Sequence, residues 1–378
     1  MYACGGSGSG ANTGAVAPPV PSPHLSGPPV VLYISPNGSN SNPGTQSRPL
    51  LTFAQADLQA TPGSVIHVLP GTYSADIKIQ NGGIQGQPVI WQSDTPWGAH
   101  IVGQGGSTAA VCINGPFITF QGFDVTSSSN AQSGIEGNCS QVPNHDVHIV
   151  GNHPHDLGNS NSCPTGGAIE SETGAAQYAS TNQYIEGNFV EDIGQNGGLG
   201  GTCRLFHGIY PATPNTVVRN NVVTTVSAYC LHLFHNPSNS LIVNNTVAHC
   251  GAGAFLAGSD TTTVTGLSVS NNIFAKTGVG ISTNQGGMGD GNAYSNNLFW
   301  SNTSDLAMGP GQSVSNSLSG KSPNFVNDVQ NSQRDFHLQA GSPAIDAGTA
   351  QDAPSTDYDG FSRPFGCCID IGAYEWHP

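Results

Sequence analysis

The stretch RLFHGIYP brings together three side chains that can take part in catalysis: Arg204, His207 and Tyr210. The chain has only 8 basic residues among 378, so this concentration stands out. Histidine and tyrosine can transfer protons, and arginine can stabilise a developing or resident negative charge. The stretch therefore has the residue types of a reaction centre, provided that the fold brings them to one surface.

Two glutamates, Glu136 and Glu170, occupy equivalent places in the segments SGIEG and GAIES. In a glycosidase they would be paired carboxylates, one protonated as the acid and the other acting as nucleophile or base. Two close like charges push their pKa values apart, as that mechanism needs. A separation of about 5 Å would favour retention of configuration.

A lyase acting on a uronic-acid polymer is the other chemistry that fits. A base would abstract the proton next to the sugar carboxylate, with Tyr210 or His207 as base or acid and Arg204 neutralising the carboxylate. The glutamates would then be free to hold Ca²⁺, a hard cation that takes oxygen ligands and can bridge to an acidic sugar.

The elements that must position these residues repeat along the chain. Each repeat has an apolar strand, an asparagine and a second apolar strand, and successive asparagines are 24 to 36 residues apart. The aligned residues are Asn152, Asn188, Asn221, Asn245, Asn272 and Asn297. Such a period, with short strands and no helical periodicity, predicts an all-β parallel solenoid in which asparagines hydrogen-bond from coil to coil.

A further strand follows each repeat, and its side chains should alternate between the core and the surface. The predicted inward row is Ile135, Ile169, Ile209, Leu233, Phe255 and Ile281. One outward track is then Glu136, Glu170, Tyr210, Phe234, Leu256 and Ser282, and the other is Gly134, Ala168, Gly208, His232, Ala254 and Gly280. The two tracks would border a shallow groove.

Long insertions at about 156–166 and 192–206 would stand beside this groove as walls, and long ordered loops tend to be functional. Outward aromatic residues also cover solenoid sheets without any activity, so a purely structural column is the alternative. The candidate catalytic residues are Glu136, Glu170, Arg204, His207, Tyr210 and His232, and the candidate substrate-binding residues are Phe234 and His235.

The nine cysteines indicate an exported protein. Cys4 precedes a Gly/Ser/Pro-rich tether, as the lipid-bearing cysteine of a bacterial lipoprotein does, and the other eight are enough for four disulfides. The pairs predicted from neighbouring coils are Cys163 with Cys203 and Cys230 with Cys250. Cys367 and Cys368 are expected to bond to other cysteines, because a bridge between adjacent cysteines is strained.

The segment NHDVHIVGNHPHD suggests a metal, since His145, His148, His153 and His155 lie within eleven residues. His153 and His155 share a strand face, as two ligands would. However, these residues follow the asparagine turn instead of lining the groove, and no carboxylate or cysteine pattern nearby completes a known site.

The coil pattern resembles the right-handed parallel β-helix of the pectate-lyase superfamily. The segment LYISPNGSNSNPGTQSRPLLTFAQADLQATPGSVIHVLPGTY resembles an N-terminal module in which a short helix, here about 50–60, caps the first coil. The segment GSPAIDAGTAQDAPSTDYDGFSRPFGCCIDIGAYEW resembles a C-terminal segment found on many of the same proteins. The composition indicates a lipoprotein-like leader and Gly/Ser/Pro linker at 1–30, and the resemblance implies a right-handed β-helix at 31–320 and a C-terminal segment packing on it at 321–378.

Many members of that superfamily are lyases with a lysine or arginine in a groove over the sheet of Gly-Ile-Xaa strands. This chain has no lysine between residues 78 and 276, which counts against the commonest form of such a lyase site. The net charge of −15 argues against nucleic acid or an anionic membrane surface as a partner. No apolar run is long enough to span a membrane.

These observations favour an extracellular or cell-surface bacterial monomer that acts on a polysaccharide, most of all a lyase for a uronic-acid-containing glycan. A glycoside hydrolase using Glu136 and Glu170 is one alternative. A non-catalytic glycan-binding or structural adhesin is the other.

Overall fold

The structure, a computed structural model, describes residues 27–129, 132–140, 143–158, 165–171, 180–194, 201–258, 262–283 and 287–378. Over these ranges the chain forms a parallel β-helix. Strands from successive coils pair side by side and build up long parallel sheets. No helix in the described ranges is both apolar and long enough to cross a bilayer.

The two largest parallel sheets contain eleven and nine strands in the part of the chain that the structure describes. The eleven-stranded sheet stacks Val31–Ile34, Val65–Val68, Val89–Ser93, Ile118–Gln121, His145–Val150, Thr181–Glu186, Val217–Arg219, Leu241–Val243, Ser268–Ser270, Ala293–Ser295 and Val314–Ser315. The nine-stranded sheet stacks Ile77–Ile79, Ala109–Ile113, Ser133–Glu136, Gly166–Glu170, Phe206–Tyr210, Tyr229–Leu233, Ala252–Leu256, Val279–Ser282 and Ser304–Ala307. The Gly-Ile-Xaa strands therefore share one sheet, as predicted.

Two shorter parallel sheets form the next face and are joined by a bridge between His155 and Glu191. The first stacks Gly71–Ser74, Ala99–Gly103, Asp124–Ser127 and His153–Pro154. The second stacks Phe189–Ile193, Val222–Val226, Thr246–Ala248, Ile273–Ala275, Leu298–Trp300 and Leu318–Ser319. A final antiparallel hairpin pairs Phe325–Asn327 with Asp335–Leu338.

Stacked apolar side chains fill the interior of the coil. One row runs through the eleven-stranded sheet as Leu32, Ile66, Trp91, Phe120, Ile149, Ile185, Val218, Ile242, Val269 and Tyr294, all of them buried. Each row continues from coil to coil because paired parallel strands keep the same side chains facing inward.

The predicted asparagine ladder is confirmed. The six aligned asparagines are fully buried, and each of the first five donates its backbone N–H to the side-chain oxygen of the next, at 2.9–3.0 Å. The left-handed backbone lies one residue earlier, at positions such as Gly187 (φ 61°) and Asn244 (φ 55°). Asparagine and glycine tolerate that conformation best, which explains the NN and GN pairs of the repeat.

A single short helix, Phe53–Asp57, covers the first coils within the described residues, in agreement with the predicted cap. The Thr52 hydroxyl accepts a hydrogen bond from the Gln55 N–H at 3.2 Å, as an N-cap residue does. Phe53 is buried, with its ring stacked 5.7 Å from that of Trp91. The helix therefore shields the apolar interior of the first coils from water.

Disulfides join neighbouring coils at two described places. Cys230 pairs with Cys250 as expected, with the Cα atoms 5.8 Å apart, and Cys112 pairs with Cys139. Cys203 is also disulfide-bonded, whereas Cys163 and Cys4 lie outside the described residues, so the Cys163–Cys203 pair stays a prediction.

The expectation for Cys367 and Cys368 is wrong, because both are exposed free thiols. Their backbone N–H groups both bind a carboxylate oxygen of Asp346, at 3.1 and 2.9 Å. This turn holds the two side chains at the surface.

Peptide mapping without reduction tests the disulfide framework. We expect Cys230 joined to Cys250 and Cys203 joined to Cys163, with Cys367 and Cys368 alkylated before any reductant is added. Recovery of alkylated Cys163 would contradict the pairing between the two walls.

Candidate active-site groove

The nine-stranded sheet brings four of the predicted residues into one column. The Cα atoms pair Glu136 with Glu170 and Glu170 with Tyr210 on successive coils. His232 follows on the next coil, and its ring lies 4.4 Å from that of Tyr210. We call Glu136, Glu170, Tyr210 and His232 the central column.

The predicted register is wrong beyond Tyr210. The inward row observed is Ile135, Ile169, Ile209, Leu231, Ala254 and Ile281. Leu231 takes the place expected for Leu233, a shift of two residues that keeps the same face. Ala254 takes the place expected for Phe255, a shift of one residue that turns Phe255 outward beside His232.

The second outward track does not form as predicted. A Cβ atom on Gly134 would lie 2.7 Å from Leu157, and one on Gly208 would lie 2.7 Å from Val223. Leu157 and Val223 belong to the apolar core, so both glycines are packed against buried side chains. The strands have no side chain there because the core leaves no room for one.

Both glutamates are buried, which differs from the solvated surface expected for an outward track. Glu136 is 0% exposed and accepts a hydrogen bond from the Thr108 hydroxyl at 2.9 Å. Glu170 is 1% exposed, and one carboxyl oxygen accepts from the Ser133 hydroxyl at 2.6 Å. A Cβ at Gly166 (φ 130°) would lie 2.3 Å from that oxygen, so only glycine fits.

Burial and the neighbouring Glu136 raise the pKa of Glu170 to about 8, against the opposing hydrogen bonds from Ser133 and Gly167. Glu170 is therefore mainly a neutral carboxylic acid at neutral pH. Its second oxygen, Oε2, is buried and makes no hydrogen bond within the described residues. A neutral acid with a spare oxygen can donate a hydrogen bond to an anionic partner.

Three histidines surround Tyr210, and burial lowers the pKa of each. The pKa falls to about 3 for His207 and to about 4 for His235, and that of His232 is lowered further by its histidine neighbours. All three rings are therefore neutral at neutral pH. The Tyr210 hydroxyl lies 3.0 Å from Nε2 of His235, and the His207 and His232 rings are 4.0 Å apart.

Arg204 does not join the central column. It is exposed, and its Nη1 donates to the backbone carbonyl of Ser227 at 3.0 Å. This contact places it at the entrance of the strand Tyr229–Leu233. The predicted walls beside it are incompletely described, since residues 159–164 and 195–200 lie outside the described ranges.

Tyr229 is a further residue of this candidate site that the strand pattern did not identify. Its half-buried ring stacks 5.4 Å from His207 and 5.1 Å from His232. The available signal was spacing, because Tyr229 precedes His232 by three residues, as His207 precedes Tyr210. Phe234 also lies here as expected, with its ring 5.7 Å from that of His232.

The substitution Glu170→Gln tests, through the pH dependence of protein stability, whether the buried carboxyl of Glu170 is neutral. The pKa of Glu170 in the folded protein lies above its ordinary value. The protonated carboxyl therefore makes its full contribution to stability below that ordinary value, and the contribution is lost as the pH rises through about 8. Glutamine does not titrate. The melting temperature of the variant relative to wild type should therefore rise between about pH 5 and pH 9.

The matched control is Glu186→Gln, where the carboxylate is partly exposed and pairs with Arg219 at 3.0 Å. This control should show no such trend. A difference between Glu170→Gln and wild type that stays constant with pH would contradict the raised pKa.

No protein-family model matches the chain. The uncharacterized protein YwoF of Bacillus subtilis (strain 168) is 29% identical over 135 residues, which cover 32% of this chain and 28% of that protein. The alignment thus spans less than a third of the length of this relative.

Two solved structures align with nearly their whole length. The pectate lyase Pel9A has a TM-score of 0.52 at 15% identity, covering 92% of this chain and 96% of its own. A glycoside hydrolase has a TM-score of 0.52 at 9% identity, covering 77% of this chain and 96% of its own. At these identities the likeness concerns the fold, and the chain has the parallel β-helix that pectate lyases have.

Proposed function

We propose that this protein is an exported enzyme that cleaves a uronic-acid-containing polysaccharide by β-elimination. The observation that carries the proposal is the hydrogen-bonded pair of Tyr210 and a neutral His235, both of them partly exposed. Tyr210 belongs to the central column, which also holds the neutral carboxylic acid of Glu170. The His235 ring is uncharged at neutral pH and so can accept a proton, and the negative charge of a uronic acid bound beside it would raise its lowered pKa.

In this mechanism His235 accepts the hydroxyl proton of Tyr210, and Tyr210 removes the proton next to the sugar carboxylate. The bond to the leaving sugar oxygen breaks as the carbon–carbon double bond forms. The proton held by His235 returns through Tyr210 to the leaving oxygen. General acid–base groups placed in this way contribute about 10²- to 10⁴-fold to a rate.

The negative charge that develops on the sugar carboxylate needs a partner. Glu170 is paired in register with Tyr210, and because this buried acid is protonated it adds no second negative charge that would repel the sugar carboxylate. The exposed guanidinium of Arg204 would attract the acidic polymer. A protonated Glu170 is a poor ligand for Ca²⁺, so the proposed reaction does not use a calcium ion at this position.

Hydrolysis is the second candidate, and the register of the two glutamates favours it. Glu136 and Glu170 are Cα partners on adjacent coils, and the raised pKa of Glu170 is the property of a general acid. The nearly complete burial of both carboxyls argues against direct attack on a sugar, which ranks hydrolysis second.

Export is supported by the disulfides, because such bonds form in oxidising compartments. The fold shared with a pectate lyase supports a glycan as the substrate. A lipid anchor at Cys4 and a monomeric state stay predictions of the sequence.

A panel of polysaccharides, with and without uronic acid, tests the proposal. The ultraviolet absorbance of unsaturated products and the number of new reducing ends are measured in parallel. We expect both signals to rise together on at least one uronic-acid polymer. Reducing ends without absorbance would establish hydrolysis, and binding without either signal would establish an adhesin.

A further inference from the structure

A second cluster of ionisable side chains lies on the four-stranded sheet, away from the central column. Asp124 and His153 are Cα partners on successive coils, and His155 follows on the same strand face. One oxygen of Asp124, Oδ2, lies 3.0 Å from Nδ1 of His153 and 3.1 Å from Nε2 of His155. Three atoms that can bind a metal therefore converge from two coils.

The distances match the ligand shell of a small transition metal. Zinc lies about 2.0–2.1 Å from nitrogen and carboxylate ligands, so two tetrahedral ligands are about 3.3 Å apart. The ligand atoms of Asp124, His153 and His155 all lie within 4.8 Å of one another. The two oxygen–nitrogen distances, 3.0 and 3.1 Å, are slightly shorter than the separation that an ion between these atoms needs.

The outer nitrogens of both histidines are already held as metal ligands usually are. Nε2 of His153 lies 3.0 Å from Glu191, and Nδ1 of His155 lies 2.8 Å from Asp156. Ligating histidines commonly use the second ring nitrogen to donate to a carboxylate, which fixes the tautomer and the ring orientation. Arg334, 4% exposed in its side chain, holds Glu191 in place at 2.6 Å.

We propose that Asp124, His153 and His155 bind one divalent transition-metal ion of the zinc class. Three protein ligands leave the fourth tetrahedral position to water. His100, which contacts the other oxygen of Asp124, orients that carboxylate from the preceding coil. Because the ligands come from two coils, the ion ties them together at the point where the four-stranded sheet gives way to the six-stranded one.

The sequence alone did not reveal this site because its carboxylate is distant in the chain. Asp124 precedes His153 by 29 residues and comes beside it only through the register of the coil. The histidine-rich segment indicated a metal, but its own neighbours did not complete a ligand set. His145 and His148 belong to the strand His145–Val150 of the eleven-stranded sheet.

Titration of the full chain with Zn²⁺ after dialysis against a chelator tests the proposal. We expect one ion per chain, a higher melting temperature with zinc, and at least a tenfold weaker affinity in both Asp124→Asn and His155→Gln. The matched control is His145→Gln, which alters the same segment outside the site and should bind as wild type does. Co²⁺ should give the visible absorption of a tetrahedral site without a thiolate band.

Trp97 provides a local readout, because its ring stacks 4.4 Å from that of His153. Cu²⁺ should quench tryptophan fluorescence in wild type and much less in His155→Gln. The proposal is overturned if wild type binds no zinc, or if affinity is unchanged in both site variants. It is also overturned if binding is lost only when Cys367 and Cys368 are replaced by serine.

Discussion

Tyr210→Phe is expected to lower turnover by about 10²- to 10⁴-fold on a uronic-acid polymer that the wild type cleaves. The substitution removes only the hydroxyl that lies 3.0 Å from Nε2 of His235 and leaves the ring packed against that of His232. Steady-state kinetics should therefore show the loss in kcat, with the melting temperature almost unchanged.

Tyr184→Phe is the matched control, because this ring lies on the eleven-stranded sheet and stacks 4.1 Å from His148. It should retain full activity. A variant Tyr210→Phe that also retains full activity would show that the central column is only scaffold. A large loss in Glu170→Gln with little loss in Tyr210→Phe would instead favour hydrolysis by the two glutamates.

Asn245→Ala is expected to lower the free energy of unfolding by at least about 3 kcal/mol. The Asn245 side chain accepts from the N–H of Asn221 at 3.0 Å and donates to the carbonyl of Val218 and to Asn272, both at 2.9 Å. Alanine leaves the buried N–H of Asn221 without its acceptor, which costs about 1–3 kcal/mol, and removes the two hydrogen bonds that the Asn245 amide donates, each worth about 0.5–1.5 kcal/mol. Denaturation with guanidinium chloride measures the loss.

The control for this prediction is Asn37→Ala, at an exposed asparagine outside the ladder. Its effect should stay within about 0.5 kcal/mol, as is usual for surface substitutions. Equal effects of the two substitutions would mean that the ladder does not stabilise the coils.

The sequence was sufficient for the fold because the asparagine ladder imposes a strict local rule. Each repeat needs a residue with left-handed backbone followed by a buried asparagine, and the NN and GN pairs of the sequence mark those turns directly. The same repeats also placed Glu136, Glu170 and Tyr210 in one column, since consecutive Gly-Ile-Xaa strands keep a constant face.

The register after Tyr210 could not be read from the pattern. Alternation identifies a face but cannot distinguish positions two residues apart, so Leu231 and Leu233 looked equivalent. Burial of Glu136 and Glu170, and the approach of Asp124 to His153, depend on contacts between different coils. Such contacts become visible only when the length of every coil is known.

The mass of the products released from a defined uronic-acid oligosaccharide distinguishes elimination from hydrolysis. Wild type should release one fragment lighter than the hydrolytic fragment by the mass of one water molecule, and Tyr210→Phe should form this fragment at least about 10²-fold more slowly. Fragments that all carry the added water would rule out elimination by Tyr210 and His235 at the central column.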